Sequence, residues 1–243
     1  MPSATSRRDP PVSIAGILFD KDGTLLDYAA SWTPINRRAA AIAARGDPAL
    51  AARLLQLGGA DPVSGRVAPD SLLASGNTAE LAEVWVAGGA PHDRGGLTRM
   101  LDELFRASVA DMVPVTDLAA LFSRLRGHGL KLGIASSDNE ASVRATAARF
   151  GIDGLIDYVA GYDSGFGTKP APGMVEGFCR VAQLSPAEVA VVGDNTHDML
   201  MGRAAAVGFI VGVLTGNGTR ETLAPHADIC LESIEALEAA LYG

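Results

Sequence analysis

Ile14-Ala15-Gly16-Ile17-Leu18-Phe19-Asp20-Lys21-Asp22-Gly23-Thr24-Leu25 is the stretch on which the reading of this chain turns. Its apolar run is continuous and ends in an acid. A run of that kind, bounded by polar turn residues, reads as a buried strand over residues 14–20. Past its end two acids stand one residue apart, and a glycine then turns the chain. Two carboxylates about 4 Å apart repel by roughly 4 kcal/mol at an effective dielectric of about 20. Such a pair persists if a divalent cation lies between the acids or if one of them keeps its proton. A solvated, Asp-rich turn is the alternative.

Four further apolar runs, at residues 131–135, 158–161, 189–193 and 209–213, have the same character. Helical patterns separate them, at 116–127, 139–150, 172–183 and 196–207, and a last helix is expected at 233–241 with Ser233 as its N-cap. Strand and helix in alternation predict an α/β fold, a three-layer Rossmann-like core with a parallel sheet between helices. Ligands in such sheets sit beyond the carboxyl ends of the strands. Asp20 ends the first predicted strand, and Ser136, Asp163 and Asp194 follow the second, third and fourth at that edge.

From residue 28 to 111 no strand pattern is evident. Helix candidates at 37–57 (interrupted at Gly46, Asp47 and Pro48), 78–87 and 97–109 lie among Gly and Pro breakers. The expected organisation is a core of residues 1–27 and 112–243 with a helical insertion of residues 28–111.

Three more motifs occur in order after the first. They are Ser136 in Leu132-Gly133-Ile134-Ala135-Ser136, Lys169 in Gly167-Thr168-Lys169-Pro170, and Gly193-Asp194-Asn195-Thr196-His197-Asp198. With Asp20-Lys21-Asp22-Gly23-Thr24 they resemble, in order and placement, the four motifs of the haloacid dehalogenase-like superfamily. The resemblance implies that Asp20 is a nucleophile forming an aspartyl-phosphate and that Asp22 is the general acid and base. It implies Mg²⁺ held by Asp20, the main-chain carbonyl of Asp22, and Asp194. Ser136 and Lys169 would bind the phosphoryl oxygens, and Asp198 would hold Lys169 or a metal-bound water. The insertion would be the family's cap, which closes over the site and selects substrate.

Departures from sister enzymes narrow the expectation. Dehalogenases of the superfamily lack the second acid, which is Asp22 here. Phosphonoacetaldehyde hydrolases need a cap lysine, whereas the lysines of this chain are Lys21, Lys131 and Lys169. The layout most resembles phosphoglycolate phosphatase-like proteins, so a small phosphorylated acid such as 2-phosphoglycolate is the expected substrate. A sugar-phosphate phosphatase or phosphomutase is the alternative, with Arg37, Arg38, Arg45 and Arg53 available for a second phosphate or simply solvated. A non-catalytic binding or regulatory protein on the same fold is the alternative of another class.

Composition is consistent with these readings. The 243 residues are 48 % hydrophobic and carry a net charge of −8, which lacks the basic footprint of a nucleic-acid binder. Cys179 and Cys230 form no metal spacing and read as buried, reduced thiols of a cytoplasmic protein. Residues 1–10 read as a polar tail without a signal-peptide core, and no run is long enough to span a membrane. The expected state is a monomer or homodimer. His197 is expected to be an exposed bystander, and Gly216-Asn217-Gly218-Thr219-Arg220 a plain turn more than a phosphate cradle.

Overall fold

The computed structural model describes residues 14–242. The polar tail expected at residues 1–10 lies outside them. In chain order the elements are β1 (Gly16–Phe19), then helices α1 (Tyr28–Ala43), α2 (Pro48–Leu57), α3 (Leu72–Ser75), α4 (Thr78–Ala87) and α5 (Arg94–Ser108). There follow α6 (Leu118–Gly127), β2 (Lys131–Ala135), α7 (Glu140–Arg149), β3 (Tyr158–Ala160), α8 (Gly173–Ala182), β4 (Val189–Gly193) and α9 (Thr196–Ala204). The chain ends with β5 (Phe209–Val213), α10 (Arg220–Leu223), β6 (Ile229–Leu231) and α11 (Leu237–Tyr242).

All strand pairings are parallel, and the sheet order is β3-β2-β1-β4-β5-β6. The five apolar runs therefore form strands as expected. A sixth strand, around Cys230, is only three residues long, too short to show a period. The core follows the two-residue alternation of a strand. Ile17 and Phe19 of β1 face one cluster with Phe122 of α6, while Leu18 faces another with Phe178 of α8. Cys179 and Cys230 are buried free thiols.

Helix ends depart from the expectations where caps override local composition. α1 begins at Tyr28, not at Arg37, because Asp27 accepts a bond from the Ala30 N–H at 2.9 Å and starts the helix nine residues earlier, with Pro34 inside it. α5 starts at Arg94 and takes Gly95 and Gly96 into its first turn, where Asp93 accepts from the Gly96 N–H at 2.7 Å. The last helix opens with a 3-10 turn at Ile234–Ala236 behind the Ser233 cap. Between residues 28 and 111 the described residues contain helices and one isolated bridge, Ala60 to Val67. No helix among the described residues is long and apolar enough to cross a membrane.

Candidate active site

The strand order reverses between β1 and its neighbours: the chain moves to β2 on one side and later to β4 on the other. This is the crevice where open α/β sheets place ligands. The register aligns Phe19 with both Ile134 and Val192, so the residues just past these strands converge. Asp20 follows β1, Ser136 follows β2 and Asp194 follows β4, and all three line one cavity together with Asp22, Lys169 and Asp198. Asp163 does not join them. It is exposed and accepts from the Glu140 N–H at 2.8 Å, next to the N-terminal cap of α7.

Lys169 is the hub. Its Nζ lies 2.6 Å from Asp20 Oδ1 and 2.6 Å from Asp198 Oδ1, and its side chain is only 3 % exposed. Burial alone would push its pKa down, but the Asp198 and Asp20 carboxylates outweigh that and hold it above the ordinary lysine value. Asp198 serves two partners, since its Oδ2 also accepts from the Asn195 N–H at 3.1 Å and closes the capping box that starts α9.

The Asp20 carboxyl is pushed up to about 6 by burial, against the pull of Lys169. Asp194 is driven well up by burial and then by the charges of Asp20 and Asp198. One carboxylate oxygen from each of Asp20, Asp194 and Asp198 lies within 4.8 Å of the others, and all three residues are buried. One lysine faces three acids there. That surplus of negative charge and the all-oxygen donor set fit a hard divalent cation.

Asp22 belongs to a second ion cluster. Its carboxylate lies 2.8 Å from Lys21 Nζ, and Lys21 reaches Asp138 at 3.0 Å. The Trp32 indole N–H donates to Asp22 Oδ1 at 2.6 Å, and Lys21 Nζ sits 5.4 Å from the centre of the same ring. Burial pushes Asp22 up to about 6, opposed by Lys21 and assisted by Asp138 and Asp20. Ser136 Oγ accepts from the Asp138 N–H at 3.1 Å, which leaves its own hydroxyl proton to donate.

Sequence reasoning missed Lys21, Asp138 and Trp32. Lys21 sits inside the quoted motif, but nothing local marks a lysine as fully buried. It also read His197 as exposed, whereas His197 is half-buried and lines the cavity, because the start of α9 points into the crevice. The Gly216 loop cradles Asp194: the Asn217 N–H donates to Asp194 Oδ2 at 2.9 Å, and a Cβ on Gly216 would stand 1.8 Å from that oxygen. Arg37, Arg38, Arg45 and Arg53 are exposed.

A parallel sheet in this order, with acids and a lysine gathered at its switch point, defines a doubly wound α/β protein with a crevice at the carboxyl edge of its sheet. The family model of the haloacid dehalogenase-like hydrolases matches residues 14–206, and the chain belongs to that family. The curated "Probable phosphatase IndB" of Dickeya dadantii (strain 3937) is 34 % identical over 133 residues, 51 % of this chain and 55 % of that protein. The chain thus matches about half the length of this curated relative. Among solved structures, CbbY from Rhodobacter sphaeroides in complex with phosphate superposes with TM-score 0.71 at 21 % identity, over 94 % of this chain and 99 % of that one. A predicted phosphoglycolate phosphatase from Haemophilus somnus 129pt gives 0.70 at 18 % identity, over 93 % and 97 %. These two share the fold.

Proposed function

We propose that the chain is a Mg²⁺-dependent phosphatase that hydrolyses a small phosphate monoester through an aspartyl-phosphate on Asp20. The observation that carries this reading is the buried cluster of Asp20, Lys169 and Asp198 beside Asp194. Lys169 holds Asp20 in place and supplies fixed positive charge where phosphoryl oxygens gather. The Ser136 hydroxyl donates to the same oxygens. Asp22, poised near 6 by burial, protonates the leaving oxygen and later takes a proton from water. Asp20, Asp194 and the main-chain carbonyl of Asp22 would hold Mg²⁺, which when bound supplies positive charge that offsets the substrate dianion. Asp198 is left to Lys169.

In this reading residues 28–111 act as the cap over a core of residues 14–27 and 112–242, since the insertion lies over the carboxyl edge and lines the cavity. Support for a phosphate ester also comes from the phosphatase name of the curated relative and the phosphate held by CbbY. The resemblance to phosphoglycolate phosphatase-like proteins makes 2-phosphoglycolate the reference ester. The test is phosphate release from a panel of small esters with Mg²⁺ and then with EDTA, for the chain and for Asp20→Asn. Release that needs metal and falls to background in the variant is expected. Release by Asp20→Asn near the unaltered rate would remove Asp20 as nucleophile.

A further inference from the structure

The cavity over Asp20 has two walls of opposite chemistry. The strand-end wall carries Asp20, Asp22, Asp138, Asp194, Asp198 and Lys169. The wall from the insertion carries Tyr28, Trp32, Leu72, Leu73, Leu81 and Phe105, with Asn36, Ser75, Asn77 and Thr78 as its neutral polar members. Among the described residues lining the cavity, Lys169 is the one lysine or arginine, and it is already divided between Asp20 and Asp198. His197 lies on α9, part of the core side.

The aromatic part of the insertion wall is tightly packed. Trp32 meets Phe105 edge to face with centroids 5.0 Å apart, and Tyr28 stacks 6.4 Å from Trp32. The Tyr28 hydroxyl is occupied, donating to the Leu73 carbonyl at 2.5 Å. The Trp32 N–H is taken by Asp22. What these rings offer a ligand is therefore apolar surface. A carboxylate or second phosphate on the leaving group would be stripped of water against this wall, near five carboxylates, without a counter-charge. A neutral, apolar leaving group would bury well there.

We propose that the preferred substrate is a phosphate monoester whose leaving group is uncharged and largely apolar, such as a ring-bearing alcohol, and not a phosphorylated acid or a bisphosphate. This rests on the phosphatase reading above. The cavity sorts esters by excluding a second anion, and the same Trp32 that forms the wall also fixes the Asp22 carboxylate.

The experiment compares kcat/KM with Mg²⁺ for benzyl phosphate, 2-phosphoglycolate, fructose 1,6-bisphosphate and phosphocholine, with p-nitrophenyl phosphate as an activated reference. Benzyl phosphate should exceed 2-phosphoglycolate by about 100-fold. Leu73→Arg, at a half-buried wall position, should bring the two toward parity by supplying the missing cation. Phe105→Ala should also shrink the ratio, through a higher KM for benzyl phosphate, and serves if Leu73→Arg does not fold. Turnover of 2-phosphoglycolate, the bisphosphate or phosphocholine at or above that of benzyl phosphate overturns the inference and leaves the phosphatase reading standing. No release from any ester, the activated one included, overturns both.

Discussion

Lys21 occupies the position between the two acids of the first motif and is fully buried. A buried ammonium is tolerated only when paired, and here two carboxylates and the face of Trp32 surround it. Burial would lower its pKa, but Asp22 and Asp138 together more than reverse that and keep it charged. Its role is to hold Asp22, lying 2.8 Å from both carboxylate oxygens, while the Trp32 indole donates to Oδ1 as well. Lys21→Met leaves Asp22 and Asp138 facing each other without a counter-ion. Removing one partner of a buried ion pair costs about 3–5 kcal/mol. A loss of that order in urea unfolding is expected, and a loss under about 1 kcal/mol would mean the two acids protonate at little cost. The motif made Asp20 and Asp22 legible as a pair, but Lys21 read as a spacer because burial of a side chain is not local information.

At the scale of the element, the loop after β5 matters as much as the helices. Thr215 Oγ1 donates to the Gly23 carbonyl at 2.6 Å, and the Asn217 N–H donates to Asp194. The loop thereby joins the first motif to the fourth. Gly23 sits at φ +85°, and a Cβ there would also reach Asp194 Oδ2, at 2.5 Å. Both glycines are needed for close approach to one carboxylate. Gly216→Ala should displace Asp194 and weaken Mg²⁺ affinity by about 10-fold or more, as changes to groups supporting metal ligands do. Titrating Mg²⁺ by calorimetry measures this directly, and an unchanged affinity would take Asp194 out of the metal set. Read from sequence, this loop is a plain turn; that it cradles an acid 23 positions away is not readable there.

For the whole molecule, the insertion is fastened to the carboxyl edge of the sheet by bonds to residues that follow β2, β3 and β4. Ser137 Oγ donates to the Ser75 carbonyl at 3.1 Å, the Tyr162 hydroxyl donates to Asp102 at 3.0 Å, and the Thr196 hydroxyl donates to Asp70. The enclosure is what keeps the acids from water and drives their carboxyls upward. This links stability to pH. Asp20 and Asp22 stand near 6 in the fold, above their ordinary value of 3.8. Between those values the folded state holds protons that the unfolded chain has released, so stability falls as pH rises through that window. On the reading proposed above, Mg²⁺ held by Asp20 and Asp194 would offset the penalty. Thermal unfolding should therefore show a larger Mg²⁺-induced rise in Tm at about pH 7.5 than at about pH 5. Equal rises at both would show that burial does not govern these acids.

By itself the sequence determined the class of fold and the order of the motifs. Buried strands announce themselves as continuous apolar runs, as β1 to β5 do, and the acids that follow strands fall at one edge of any parallel sheet. All of that is information carried within about ten residues. Only the tertiary structure decided that Lys169 bridges Asp20 and Asp198, that Lys21 and Trp32 share Asp22, that His197 faces the cavity and that Asp163 does not. It also decided that the wall opposite Asp20 is aromatic and lacks lysine and arginine among its described residues. The physical reason is separation along the chain. Lys169 and Asp20 are 149 positions apart, and their 2.6 Å contact exists because α8 packs on β1, with Phe178 and Leu18 in one cluster, and so brings the loop between β3 and α8 to the end of that strand.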